Sequence, residues 1–147
     1  LKKIENAIVD AAADGAEVAL GGAGIASGAG QYMSPTVVTG VKAEMAIARE
    51  EVFGPVLSVL AFERIEEAMR LADSTDYGLS AGVGSRDIDT AMTVARSVRT
   101  GTDWVSTFMD GYPELPFGGM KQSGIGREGA HEGLMEFLET QYISVTW

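Results

Sequence analysis

The strongest constraint on the fold is the alternation of helical and extended patterns along the chain. Leu1–Ala13 has apolar residues three or four positions apart, which predicts an amphipathic helix that stops near Gly15. Further helices are predicted at 65–72, 88–100 and 127–140. Clusters of β-branched and large apolar residues predict strands at 17–20, 35–41, 55–62, 79–83, 103–105 and 142–147. This order predicts an α/β fold with an open, mostly parallel sheet and helices on both faces.

Individual segments carry more specific expectations. Asp87 is a good N-cap for the helix that follows it. Pro55–Phe62 is apolar enough to be predicted as a strand that is buried on both faces. Tyr77–Gly78 is expected to be an exit turn, and loops are predicted at Gly21–Gly30 and 106–126.

The last predicted strand, Tyr142–Trp147, has no following element to cover it. We therefore divide the chain into a main portion, residues 1–140, and a terminal pairing strand, residues 141–147. The strand either adds to a sheet edge in another subunit of a homo-oligomer or completes the sheet of its own chain. The sequence leaves both possibilities open.

Composition excludes several classes of function. The 147 residues include 21 acidic and 11 basic residues, and the resulting net charge of −10 opposes binding to the phosphates of nucleic acids. The longest nearly uncharged stretch, 54–62, is too short to span a bilayer, so no membrane segment is expected. With no cysteine and one histidine, the chain has no disulfides, and no metal site is expected.

Gly124–Gly129 matches the dinucleotide-binding pattern G-x-G-x-x-G and precedes a predicted helix. That motif needs a hydrophobic strand leading into its first glycine and an acidic residue about twenty positions later. Here Met120–Ser123 leads into the glycine, and the sequence ends too soon for the acid. A Rossmann site is therefore disfavoured, and Lys121 lacks the spacing of a P-loop lysine.

Gly78–Gly82 matches the nucleophile pattern G-x-S-x-G of the α/β-hydrolases. Asp103 or Asp110, followed by His131, gives the order of acid and base that such enzymes have. A hydrolase elbow places its serine between a strand and a helix, whereas Ser80 stands at the head of a predicted strand. A serine hydrolase that uses Ser80 is kept as the weaker alternative.

Six blocks of sequence occur in a recognisable order. They are 15–22, Ser34–Val37, Ile47–Pro55, Tyr77–Val83, Gly101–Thr107 and Pro116–Glu128. Together these blocks resemble the C-terminal part of the catalytic domain of the NAD(P)-dependent aldehyde dehydrogenases. The resemblance covers nearly the whole chain, and it implies the α/β fold of that family with a terminal strand that pairs between subunits.

The resemblance implies coenzyme contacts in the block Glu-Glu-x-Phe-Gly-Pro. Glu51 matches the glutamate that accepts hydrogen bonds from the two hydroxyls of the nicotinamide ribose, a task that suits two carboxylate oxygens. Phe53 matches a ring that packs near the nicotinamide, and on an extended backbone it points to the same side as Glu51. Without the resemblance, Glu51 is a surface acid and Phe53 a core residue. The implied cofactor is NAD or NADP.

The resemblance also implies that the loop 106–123 forms one wall of a substrate tunnel. Phe108 matches an aromatic position that faces the aldehyde, and Phe117 matches one near the inner end of the tunnel. Such rings offer apolar contact, or a cation–π surface if the substrate carries an ammonium group. Filling a gap beneath the loop explains each ring equally well. Ser106 departs from the asparagine that is common in the family, and we assign no chemistry to Arg127.

The nucleophilic cysteine, the general-base glutamate and the main coenzyme domain of the family all belong to segments that precede Leu1. We therefore expect no catalytic residue in this chain and no activity from the chain alone. The intact enzyme is expected to be cytoplasmic and to oxidise an aldehyde to a carboxylic acid through a cysteine thiohemiacetal and thioester. Its expected partners are the aldehyde and the missing N-terminal part. The alternative is a truncated module that only oligomerises or binds a partner.

Overall fold

Helices and strands alternate along the chain as predicted. The computed structural model describes residues 1–25, 30–108 and 110–147. Within these ranges the helices are α1 (Lys2–Ala13), α2 (Ala46–Arg49), α3 (Ile65–Ala72), α4 (Ile88–Ser97) and α5 (Ala130–Met135). The strands are β1 (Glu17–Leu20), β2 (Gly24–Ile25), β3 (Tyr32–Met33), β4 (Thr36–Thr39), β5 (Val56–Ser58), β6 (Tyr77–Gly78), β7 (Ser80–Val83), β8 (Thr102–Val105) and β9 (Met120–Lys121). No helix of the described residues is long and apolar enough to cross a membrane.

The first of two compact units, Leu1–Thr75, is built on a three-stranded sheet. Strand β4 lies in the middle, antiparallel to β1 and parallel to β5. The chain passes from β4 to β5 through α2, and a crossover of this kind permits a parallel neighbour. It returns from β1 to β4 through the antiparallel pair β2 and β3, without a helix. The route between strands thus explains why one pairing is parallel and the other is not.

Helix α1 ends at a Schellman motif around Gly15. Gly15 has a φ of 99°, in the left-handed region that favours glycine. Its N–H donates to the carbonyl of Ala12 at 3.1 Å, and the N–H of Ala16 donates to the carbonyl of Ala11 at 2.9 Å. These bonds satisfy two carbonyls at the helix end and place Ala11 and Ala16 together in the core. The predicted stop at Gly15 is confirmed.

The core of the first unit combines α1 and the segment around α2 with the central strand. Its buried members are Ala11, Ala16, Val38, Val41, Met45 and Ile47. Val38, in the middle strand, is fully buried. The short α2 therefore carries Ile47 into the core, which fixes the path of the residues that follow it.

The second compact unit, Asp76–Trp147, contains the parallel pair β7 and β8, against which α4 packs. Asp87 caps α4, as predicted, and accepts hydrogen bonds from the N–H groups of Asp89 at 3.3 Å and Thr90 at 3.2 Å. The Thr90 hydroxyl also donates to this carboxylate. These bonds, chiefly the one from the Thr90 hydroxyl, hold the pKa of Asp87 below its ordinary value.

The predicted single, mostly parallel sheet differs from what is observed. The described strands form four small sheets, and only β4 with β5 and β7 with β8 are parallel. Tyr77–Gly78, expected to be a turn, is strand β6 and pairs with β9. The loop predicted at Gly21–Gly30 contains β2, and residues 26–29 of it lie outside the described residues. Two-residue strands are too short to leave a periodic pattern in the sequence.

The strand predicted at Pro55–Phe62 spans only β5, and its burial on both faces is wrong. Leu57 is 60% exposed, whereas its neighbour Val56 packs against the core. Side chains alternate across a strand, so one face of β5 meets the core and the other is open in this chain.

The helix predicted at 127–140 is only α5, because the main chain before it is already engaged. Glu128 exchanges two backbone hydrogen bonds of 2.8 Å with Phe117, and Gly129 has a φ of 73°. The segment Tyr142–Trp147 forms no strand, and Tyr142 and Trp147 are fully exposed. The alternative in which it completes the sheet of its own chain is therefore wrong, and pairing with another subunit stays a prediction.

Candidate functional site

A cavity of about 460 Å³ in the first unit contains the predicted coenzyme residue Glu51. Helix α1 forms one side of the cavity, and the end of α2 with the residues after it forms another. The lining residues include Lys3, Asn6, Asp10, Ile47, Glu50 and Glu51. The structure thus places Glu51 on a concave surface built from two helices and gives its carboxylate access to a ligand.

Glu51 follows Glu50, the residue that ends α2 with an extended backbone. Its side chain is exposed, and no described residue donates a hydrogen bond to its carboxylate. An exposed carboxylate with all its lone pairs available can accept two hydroxyl donors at once. The residue therefore fits the diol of a ribose.

Lys3 lines the same cavity as Glu51, and sequence reasoning missed it. In the sequence, Lys2 and Lys3 are two similar charges at the start of an amphipathic helix. Only the packing of α1 beside α2 distinguishes them, because Lys3 reaches the cavity and Lys2 does not line it. An ammonium group and a carboxylate on one cavity can together bind a polyhydroxyl group.

Phe53 does not line this cavity. Its φ is 51°, so the backbone is not extended there, and the argument that Phe53 and Glu51 point to the same side is wrong. The turn leads into Gly54, where a β-carbon would lie 2.6 Å from Cδ1 of Ile4. The Phe53 ring is 81% exposed, so it is not the core residue that was the alternative interpretation.

The second unit contains a cavity of about 640 Å³, and the predicted substrate residue Phe117 lines it. Other residues of its wall are Gly101, Trp104, Asp110, Tyr112, Leu115 and Glu128. Phe117 is held in place by the pair of backbone hydrogen bonds with Glu128. The loop predicted at 106–126 thus forms a concave aromatic surface rather than an irregular cover.

Phe108 is not among the residues that line this cavity. Its ring packs against Trp104, with centroids 5.5 Å apart and planes tilted by 59°, and it remains 72% exposed. Trp104 in turn donates from Nε1 to the carbonyl oxygen of Asp110 at 3.1 Å. Ser106, at the start of the loop, has a φ of 56°, a conformation that asparagine tolerates better than serine.

Arg127 has a structural role in the glycine-rich loop. Its Nη1 donates to the carbonyl oxygens of Gly119 at 2.9 Å and Gly126 at 2.7 Å. Gly124 and Gly126 both have positive φ, so this loop needs an external clamp to hold its shape. A chemical role for Arg127 is not needed to explain its position.

The weaker alternatives gain no support from the geometry. Ser80 is the first residue of β7 and does not lie between a strand and a helix, as a hydrolase elbow requires. Asp103 accepts a hydrogen bond of 2.6 Å from the Thr100 hydroxyl, and His131 is exposed on α5. In the described ranges, no three His, Cys, Asp or Glu side chains cluster as metal ligands would.

Comparisons with known proteins agree on one family. The sequence model of the aldehyde dehydrogenase family matches residues 1–143. Cytosolic aldehyde dehydrogenase 2 of Macroscelides proboscideus is 40% identical over 143 residues, which is 97% of this chain and 59% of that protein. The chain spans 23% to 59% of the length of the curated relatives that it matches.

Solved structures of the same family superpose closely on the chain. The NAD-dependent aldehyde dehydrogenase of Sinorhizobium meliloti has a TM-score of 0.89 and 46% identity, covering 92% of this chain and 27% of that one. Betaine aldehyde dehydrogenase of Staphylococcus aureus, in complex with NAD+, has a TM-score of 0.88 and 43% identity, covering 92% of this chain and 28% of that one. This chain therefore belongs to the aldehyde dehydrogenase family.

Proposed function

We propose that the chain is the C-terminal segment of an enzyme that oxidises an aldehyde to a carboxylic acid with NAD or NADP. The observation that carries the proposal is the placement of Glu51, a free and exposed carboxylate, on a cavity of a chain that belongs to this family. The 147 residues contain no cysteine, so the nucleophile comes from another segment of the enzyme. The chain is then a binding part of the active site and is inactive alone.

The reaction proceeds through a covalent adduct with that cysteine. Its thiolate adds to the aldehyde carbon, and the thiohemiacetal then loses hydride to become a thioester. The nicotinamide coenzyme supplies the acceptor for the hydride when it is bound. Water adds to the thioester carbonyl, the thiolate leaves, and the carboxylic acid is released.

In this scheme Glu51 and Lys3 hold the coenzyme ribose between them. The Glu51 carboxylate accepts hydrogen bonds from the two vicinal hydroxyls, and the Lys3 ammonium donates to a hydroxyl oxygen. Both side chains line the cavity of about 460 Å³ in the first unit, which supports the pairing. Phe53, with its exposed ring, limits where the nicotinamide rests.

The substrate meets the aromatic surface of the second unit. Phe117 and Trp104 line the cavity there, and Phe108 supports Trp104 from behind. Apolar rings of this kind exclude water around the reacting carbon, which favours the thioester over its early hydrolysis. Tyr142–Trp147 adds to a sheet edge of another subunit, and the exposed side chains of that segment support a homo-oligomer. We place the enzyme in the cytoplasm, by analogy with its relative that is named cytosolic.

The test compares the full-length protein that contains this segment with the 147 residues alone. The full-length protein should reduce NAD+ or NADP+ when an aldehyde is added, and the shorter chain should not. A full-length protein that reduces neither coenzyme with any of a panel of neutral and cationic aldehydes would contradict the proposal. In that case a role limited to assembly, through the terminal segment, becomes the better account.

A further inference from the structure

The cavity of about 640 Å³ in the second unit combines aromatic rings with acidic side chains. Trp104, Tyr112 and Phe117 supply three rings to its wall, and Asp110 and Glu128 supply two carboxylates. No lysine, arginine or histidine lines it. The cavity therefore has two negative groups and no cation of its own.

Each acid is tied by hydrogen bonds to an aromatic residue of the same wall. The Trp104 indole donates to the Asp110 carbonyl at 3.1 Å, and Glu128 exchanges two backbone bonds of 2.8 Å with Phe117. The Thr107 hydroxyl donates to Oδ2 of Asp110 at 2.6 Å, which orients that carboxylate. These bonds hold a ring and a carboxylate side by side at two positions on the wall.

The nearest guanidinium does not neutralise these acids. Nη1 of Arg127 is used by the carbonyl oxygens of Gly119 and Gly126. Neither Asp110 nor Glu128 forms an ion pair with a described residue. The wall is thus prepared for a positive charge that comes from outside the chain.

We infer that this cavity selects aldehydes that carry an ammonium group, a conclusion that rests on the proposed function. The faces of Trp104 and Tyr112 attract a cation through their electron density, and the two carboxylates add direct charge attraction. An apolar cation of the alkylammonium type also fits the apolar part of the wall, formed by residues such as Leu115. A carboxylate-bearing aldehyde is disfavoured because its charge repels Asp110 and Glu128.

The test uses the full-length protein and two aldehydes of equal shape. One is trimethylammonioacetaldehyde, and the other has a tert-butyl group in place of the trimethylammonium group. The ratio of kcat/KM for the cationic over the neutral aldehyde should be about tenfold or more. Asp110→Asn and Glu128→Gln should each lower this ratio several-fold, and the double variant about tenfold. Glu114→Gln, which removes an equal charge from the same loop outside the cavity, should leave the ratio unchanged.

A second measurement does not depend on turnover of a cationic substrate. Tetramethylammonium should inhibit oxidation of the neutral aldehyde competitively, and the double variant should weaken this inhibition. If the neutral aldehyde is oxidised equally well or better, and the amide variants do not change the ratio, the inference is wrong while the proposed function stands. If neither aldehyde is oxidised, the proposed function itself fails.

Discussion

Gly101 lies so close to Gly118 that a β-carbon on it would be 1.6 Å from the Gly118 carbonyl oxygen. The main chain entering β8 therefore touches the glycine-rich loop directly, beside the wall of the second cavity. Gly101→Ala should destabilise the fold by about 3 kcal/mol or more, since two backbone segments must separate. Gly84→Ala is the matched control, because a β-carbon there meets open space. Its midpoint in urea should stay close to that of the parent protein, and equal midpoints for both variants would contradict the close approach.

Arg127→Lys should loosen the glycine-rich loop although it keeps the charge. A lysine cannot reproduce the fork that places Nη1 between the carbonyl oxygens of Gly119 and Gly126. We expect a loss of about 1–3 kcal/mol and faster amide hydrogen exchange in residues 119–126. Arg86→Lys, a change at an exposed position, is the control. Unchanged exchange in the Arg127 variant would show that the clamp is not needed.

The cap of α4 should make stability depend on pH in a defined direction. The pKa of Asp87 is lower in the folded protein than the ordinary value of 3.8, so its carboxylate stabilises the fold above that value. This contribution is lost as the pH falls through the lower, folded pKa. Asp87→Ala should therefore lower Tm at neutral pH, and its Tm should converge with that of the parent protein in acid. A Tm difference that persists at the lowest pH would contradict the role of the ionised cap, and Glu139→Ala serves as the control.

Lys3→Gln should weaken coenzyme binding in the full-length protein more than Lys2→Gln does. The two changes remove the same charge from adjacent positions, but only Lys3 lines the cavity with Glu51. Loss of a charged donor to a hydroxyl should raise the Kd of the coenzyme about tenfold. Titration calorimetry measures this directly. Equal Kd values for the two variants would remove Lys3 from the site.

Local signals in the sequence predicted much of the secondary structure. Gly15 and Asp87 act through hydrogen bonds within a few residues, and both predictions are confirmed. The α/β character follows from patterns of the same local kind. The family resemblance, confirmed by the match over residues 1–143, came from blocks that include Glu51 and Phe117.

The rest depended on contacts between distant segments. The pairing of Phe117 with Glu128 shortens the last helix, and no periodicity announces such a bridge. Phe53 was expected on an extended backbone, but the packing of Gly54 against Ile4 imposes a turn there. Lys3 gains its place on the cavity only when α1 packs beside α2. Long-range packing of this kind decides which exposed residues share a site.

The most direct test of the account is the affinity of the full-length protein for NAD+ and NADP+ with and without the Glu51 carboxylate. Glu51→Gln keeps the size of the side chain but removes its charge, so the Kd of the preferred coenzyme should rise at least about tenfold and turnover should fall. Glu44→Gln, an exposed change in the same unit, should leave both unchanged. If Glu51→Gln binds the coenzyme and turns over like the parent protein, Glu51 does not hold the ribose and the central claim is wrong.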